Sequence, residues 1–268
     1  MKKYWGLLKY EFKTMLKDSM NSIMLFFPFI MLFICGFLLP AILEKTAGGN
    51  ENATTITLLI GFVMALSMGS YIMGALLGFS LLENKDENTL QNIAASPITV
   101  SGYASFKIVY TYVMAIFSNL IMVGGLKLLA SDAYEVVYGG VTIRLLDQLS
   151  WGNVVVFTLV SSLIVPTIAL VIASIAKNKI EGFAFMKSGG LLIMIPMLAL
   201  LNVFKDGKQY ILGFTPNFWV IKPLLNQVLA SNETSDLPYW AYMVIGAGYM
   251  IMLGAITLKL FLKRAHIN

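Results

Sequence analysis

The sequence predicts an all-α integral membrane protein with six transmembrane helices, and three observations carry that expectation. Hydrophobic residues make up 58% of the 268 positions and charged residues only 12%, a balance outside the range of soluble globular domains. The apolar residues gather into six runs, each close to the roughly 20 residues that cross a bilayer core. Lys and Arg fall mostly on one side of the alternating connections, as the positive-inside rule requires.

Residues 1–19 precede the first run. They hold no short apolar stretch followed by a small-residue cleavage site, so they do not read as a signal peptide. At the α-helical repeat Tyr4, Trp5, Leu8, Phe12, Met15 and Leu16 share one face, and Lys2, Lys3, Lys9, Lys13 and Lys17 share the other. That partition predicts an amphipathic helix lying in the membrane interface, with Tyr4 and Trp5 at headgroup depth. Each lysine adds about 1 kcal/mol at most against an anionic leaflet. A solvated basic tail is the alternative reading.

The spans are expected at about Met20–Leu43, Ile56–Leu82, Ala104–Ala130, Trp151–Ala176, Ser188–Phe204 and Trp240–Leu260. With the N-terminus inside, five Lys or Arg fall in the N-terminal segment, two in the first inner loop, three in the second and three in the C-terminal tail. Lys45, Lys127, Arg144, Lys205, Lys208 and Lys222 are left outside. This bias puts both termini in the cytoplasm. A net charge of +5 dispersed in this way expresses topology, so the lipid bilayer is the expected partner and nucleic acid is not.

The span interiors are informative for what they lack. Met20–Leu43, Ile56–Leu82 and Trp151–Ala176 contain no Asp, Glu, Lys, Arg or His. Lys107, Lys127, Lys187 and Lys259 lie near span ends, where a long side chain is expected to snorkel to water. Proton-coupled transport, ion pumping and intramembrane metalloproteolysis all need ionisable groups at mid-depth. The one histidine, His266, falls in the C-terminal tail, so no His-Glu-x-x-His zinc site can form. The one cysteine, Cys35, reads as a small core residue. No nucleotide-binding Gly-rich loop is present, since Gly207-Lys208 lacks both the earlier glycine and the following hydroxyl. No catalytic, cofactor or metal site is therefore expected in this chain, and energy for transport would come from elsewhere.

Within the second span Ser70, Gly74 and Gly78 repeat every four residues, a small-residue ridge that lets another backbone approach closely. It suits either a dimer or gate interface or packing within the chain. Ser67, Tyr71, Ser118, Asn119, Thr158 and Ser162 could line a substrate path, with ordinary interhelical hydrogen bonds as the simpler expectation. Pro166 and Pro196 should kink their spans. The outer segments Glu44–Asn52 and Ser131–Gln148 read as short, mildly acidic connections.

The longest polar interruption predicted to face the cytoplasm runs from Glu83 to Thr99. Read as a helix, it puts Leu90, Ile93 and Ala94 on one narrow face, and Pro97 stops it. Composition allows a solvated linker or a docking knob. The stretch resembles the first cytoplasmic loop of type-2 ATP-binding-cassette (ABC) exporter permeases. Thr89, Leu90, Pro97 and Thr99 fall at the matching spacing, with Lys85 and Asp86 in the charged run. It departs at Asn88, where glycine is usual, and at Glu87, where a basic residue is common. A second stretch, Tyr210–Ala230, is mostly apolar, but Gly213, Pro216 and Pro223 are expected to break it before it could cross. Its Thr215-Pro216-Asn217-Phe218-Trp219 resembles the Pro…Trp pattern of the same family's re-entrant element before the last span. A surface amphipathic helix is the other reading.

The resemblance implies one permease domain over residues 1–268, with an interfacial helix at 1–19, a coupling-helix loop at 83–99 and an outer loop with a re-entrant segment at 205–238. It implies a bacterial plasma-membrane location and separate cytosolic ABC ATPase subunits that carry the ATP and Mg. A second permease chain, as homodimer or heterodimer, is implied too. Glu83, Asp86, Glu87, Thr89, Leu90, Ile93 and Pro97 would meet the ATPase, with Leu90 and Ile93 in a groove and the three acids at its basic rim. Pro216, Trp219 and Pro223 would shape the re-entrant element. An ATP-independent channel or facilitator and a membrane scaffold are the alternatives.

Overall fold

The computed structural model describes residues 2–46, 51–86, 100–138, 141–229 and 234–264. Helix α1 (Lys2–Lys17) precedes a first span built from α2 (Ser19–Phe33), a π-helical turn (Ile34–Leu38) and α3 (Leu39–Thr46). Helix α4 (Glu51–Asp86) is unbroken. Its 36 residues reach about 54 Å at 1.5 Å each, well beyond a hydrocarbon core of about 30 Å. The third span is α5 (Val100–Asn119), a π turn (Leu120–Gly124) and α6 (Gly125–Leu129). Strands β1 (Glu135–Tyr138) and β2 (Val141–Arg144) follow, then α7 (Trp151–Ser161), a 3₁₀ turn (Ser162–Ile164) and α8 (Val165–Ile175). Helix α9 (Lys179–Ile193) runs into 3₁₀ turns, and α10 (Phe218–Val228) and α11 (Tyr239–Arg264) complete the chain.

Six helical stretches are long and apolar enough to cross a membrane: Asn21–Thr46, Ala53–Glu83, Ser105–Leu129, Trp151–Ile175, Lys179–Leu200 and Tyr239–Phe261. They occupy the expected places, with one shift. The fifth begins at Lys179 rather than near Ser188, because its N-terminus is capped. The Asn178 side chain accepts the Glu181 N–H at 2.9 Å, and the Glu181 carboxylate accepts the Lys177 N–H at 2.8 Å. Two backbone donors at the start of α9 are thereby satisfied, and most of the expected inner loop becomes the first turn of a helix.

The second span is the post around which the others stand. Its apolar window is 72% buried, against 28% for the first, 6% for the fifth and 17% for the sixth. It packs on the first, third, fourth and fifth spans, with Phe62, Leu66, Leu76 and Phe79 fully enclosed. Pro166 and Pro196 both sit at interruptions of regular helix, the first just after the 3₁₀ turn of the fourth span and the second in the 3₁₀ run that follows α9.

Two features differ from expectation. In the segment expected to be an outer connection, β1 and β2 pair antiparallel as a hairpin, with Glu135 opposite Arg144 and Val136 opposite Ile143. Two β-branched runs around Gly139-Gly140 are a hairpin signal. The hairpin is seated by Val136, Leu145, Leu146 and Leu149, all buried, and by the Tyr134 hydroxyl, which donates to the Cys35 carbonyl at 2.8 Å. Burial raises the Tyr134 phenol above its ordinary pKa, so it stays a hydrogen-bond donor. The second difference is Pro223. It lies inside an unbroken α10 and does not end it. Buried Phe218, Val220, Ile221, Leu224, Leu225 and Val228 hold that helix in place, so packing outweighs the lost N–H. The chain instead turns at Thr215–Asn217.

Candidate functional site: polar ties at the roots of the polar loop

Lys107, two turns into α5, is only 2% exposed. Its Nζ lies 3.2 Å from Glu11 Oε1 of α1 and donates to Ser80 Oγ of α4 at 2.6 Å. The Tyr103 hydroxyl donates to the same Glu11 oxygen at 2.7 Å, and the Tyr103 ring centroid is 4.9 Å from the ammonium. Lys107 therefore does not snorkel to water. A counter-charge, the Ser80 hydroxyl and the face of the Tyr103 ring meet it inside the protein, as a buried charge requires. Sequence reading missed Glu11, although a signal existed: at the helical repeat this acid falls on the apolar side of α1, next to Leu8.

A second tie lies nearby in the chain's topology. Lys179 Nζ, at the first residue of α9, donates to Glu83 Oε1 at 2.7 Å and to Asp18 Oδ2 at 3.3 Å. Asp18 occupies the break between α1 and α2 and also accepts from Asn21 Nδ2 at 3.2 Å. This cluster is partly exposed, with Lys179 at 37% and Glu83 at 23%, so water weakens each pair. Ser80 and Glu83 stand one helical turn apart on α4. Together the two ties bind α1, the end of the second span, the start of the third and the start of the fifth. They sit at the two helices from which residues 87–99 leave and return. Asp86 closes α4. Glu87, Thr89, Leu90, Ile93 and Pro97 lie outside the described residues.

The small-residue ridge of the second span faces the fourth span of the same chain. A Cβ on Gly74 would come 2.8 Å from Ile168 Cβ, and one on Gly78 would come 3.0 Å from Ile172 Cβ. Ser70 Oγ is 3.0 Å from Ser161 Oγ. Asn119 of the third span closes this contact: its Nδ2 donates to Ser70 Oγ at 2.7 Å and to Ser162 Oγ at 3.1 Å. Ser162 in turn donates to the Thr158 carbonyl at 2.6 Å. These groups are buried, so Ser118, which donates to the Gly69 carbonyl, Asn119 and Ser162 serve as helix–helix ties, while the Thr158 hydroxyl bonds within its own span to the Val155 carbonyl.

At the opposite end of the bundle, Trp219 Nε1 donates to the Gly213 carbonyl at 2.8 Å. A Cβ on Gly213 would meet the Trp219 ring at 2.8 Å, and one on Gly246 of the sixth span would meet Trp219 Cβ at 3.0 Å. Pro216 lies in the turn entering α10. Tyr210, Phe218, Trp219 and Tyr242 pack ring against ring, with centroids 5.4 Å apart for Phe218 and Trp219. Lys222 of α10 pairs with Asp236 at 3.6 Å, both nearly enclosed, and Gln209 Nε2 donates to the same carboxylate at 3.1 Å. Short α10 is thus clamped to the start of the sixth span. Among the described residues, no three His, Cys, Asp or Glu side chains converge as metal ligands would.

Six apolar helices held by buried interhelical polar contacts are the architecture of a multi-pass membrane protein. Residues 11–258 match the model of a family described as "Fluoroquinolones export permease protein Rv2686c-like", and the chain belongs to that family. Its role is accordingly transport, as an export permease, which agrees with the resemblance to type-2 ABC permeases. No match was found among curated proteins.

Proposed function

We propose that this chain is the membrane subunit of an ATP-driven ABC exporter in a bacterial plasma membrane, with both termini cytoplasmic. Cytosolic ATPase subunits hold the nucleotide, and a second permease chain completes the transport path. The observation that carries the reading is the paired tie at the roots of the 87–99 connection, where Lys179 reaches Glu83 and Asp18, and Lys107 reaches Glu11 and Ser80.

In this mechanism the ATPase seats Leu90 and Ile93 in a groove, while Asp86 and Glu87 meet basic groups at its rim. Glu83 already has Lys179 as a partner within the chain, so its part is to pass the motion on to α9. Closure of the ATPase displaces both arms of the loop together. The ties carry that displacement into α1 and the second, third and fifth spans: parting Lys107 from Glu11 would leave a buried charge without its partner, and the partly exposed Lys179 pairs add a weaker link to the fifth span. The family description points to an amphiphilic drug of the fluoroquinolone class as cargo.

The test is co-purification from the native membrane followed by drug efflux in energised vesicles. A Walker-motif subunit should co-purify at fixed stoichiometry, and Leu90→Asp with Ile93→Asp should release it and stop efflux while the chain still inserts. Efflux in liposomes without ATP or a partner would replace this reading with a facilitator. A chain that moves no substrate in either setting would leave a scaffold.

A further inference from the structure

An apolar cleft opens between α1 and the first and third spans. Its outer part, about 570 Å³, is walled by Leu8, Phe12, Leu16, Tyr110 and Met114, with Lys9, Lys13 and Lys17 at its edge. Its inner part, about 320 Å³, continues between the first and third spans past Phe26, Phe29, Phe117 and Ile121. The two parts adjoin at Phe12, Leu16 and Met114, which line both, and together they make a groove, called the channel below. Phe12 and Leu16 are 43% and 47% exposed although two spans flank them, so no described part of this chain covers them. In the inner part the one hydroxyl, Ser118, is already donating to the Gly69 carbonyl. The wall therefore offers an occupant apolar contact and little else.

The rotation of α1 sets where the charges fall. Glu11, held by Lys107 and Tyr103, turns one flank of the helix into the bundle. At the helical repeat the stripe Leu8–Phe12–Leu16 then faces the channel, and Lys9–Lys13–Lys17, one residue on, lines its rim. An occupant must be apolar along the channel and anionic at the α1 end. A second copy of this chain fits poorly through its own α1, which would set its Lys9, Lys13 and Lys17 against the same three lysines. The surrounding membrane supplies the required chemistry.

We propose that this cleft is a binding site for an anionic phospholipid, with an acyl chain in the channel and the phosphate at Lys9, Lys13 and Lys17. The site does not depend on ATP coupling. A bound anionic lipid would fix α1 against the third span from the side opposite Glu11.

The test is native mass spectrometry of the full chain purified in mild detergent, with phosphatidylglycerol and phosphatidylcholine of identical acyl chains added at equal concentration. Phosphatidylglycerol should be retained about ten-fold or more over phosphatidylcholine, since the three lysines favour a headgroup of net negative charge over a zwitterionic one. Lys9→Gln, Lys13→Gln and Lys17→Gln together should bring it to the phosphatidylcholine level. Met114→Trp, which fills the junction of the two parts, should lower retention of both lipids, and Leu16→Trp repeats the block at a more exposed position should the first variant not fold. Equal retention of the two lipids, a preference that survives the triple substitution, or retention of both lipids unchanged by both tryptophan blocks overturns the site. Loss of a dimer species with lipid retention unchanged overturns it in favour of a second copy.

Discussion

The Lys107 ammonium and the Glu11 carboxylate stand 3.2 Å apart with side chains only 3% and 6% exposed. This pair turns an amphipathic N-terminal helix into a fixed part of the bundle. Two charges taken out of water need close geometry and further hydrogen bonds to be tolerated. Tyr103 supplies one to the acid, and Ser80 accepts one from the base. The structure therefore contains a complete polar unit that spans α1, the second span and the third.

Breaking one side of the pair should be costly. Glu11→Gln leaves the Lys107 charge enclosed without a counter-charge, and we expect a loss of about 3–5 kcal/mol. Replacing both partners together, as Glu11→Leu with Lys107→Met, should recover most of that loss. Unfolding midpoints of the detergent-solubilised variants measure it. A single variant as stable as the parent would show that water reaches the pair.

The Lys179 tie should behave differently. It is partly exposed, so Lys179→Ala should cost no more than about 1 kcal/mol, and less as salt rises. Its effect should appear in transport. Lys179→Glu, set against Glu83 and Asp18, should impair efflux with little change in folded yield. Exchange to Glu83→Lys with Lys179→Glu should restore part of it. Efflux unchanged by charge reversal would remove the cluster from the transmission path.

The ridge on the second span predicts overpacking. Gly74→Ala would place a methyl 2.8 Å from Ile168 Cβ, and forcing such a contact typically costs about 1–3 kcal/mol. Ile168→Ala removes the further contacts at Cγ2 and Cδ1, 3.0 and 3.2 Å away, but keeps Cβ, so the double variant should lose less than the sum of the two single losses. If the single variant melts with the parent, the two spans are not in contact there.

Asn119→Leu removes the donor shared by Ser70 and Ser162. Interhelical hydrogen bonds in bilayers contribute about 1–2 kcal/mol at the upper end, so a loss of that order is expected. A double-mutant cycle with Ser70→Ala should return a coupling energy clearly above zero. Additive effects would mean that Asn119 acts through packing alone.

Much of the architecture was legible because it depends on local composition. A run of about 20 apolar residues crosses a bilayer whatever its neighbours are, so all six spans could be placed before any contact was known. Ser70, Gly74 and Gly78 were recognisable as a contact ridge by spacing, yet their partner was not. Nothing in a four-residue repeat distinguishes Ile168 and Ile172 of the same chain from the helix of another. Lys107 looked like a snorkelling residue for the same reason, since its distance from a span end is visible and the approach of Glu11 is not.

Hydropathy, charge bias and the lack of ionisable groups in three spans belong to the chain as a string, and they alone led to a multi-pass protein without an evident catalytic constellation. Which faces meet belongs to the fold. The burial of the second span, the rotation of α1, the continuity of α10 through Pro223 and the clamp of Lys222 on Asp236 all arise from contacts between distant segments. Each depends on a free-energy difference that no single segment carries: a charge is tolerated inside only where another element brings its counter-charge, and a proline only where packing holds the helix around it.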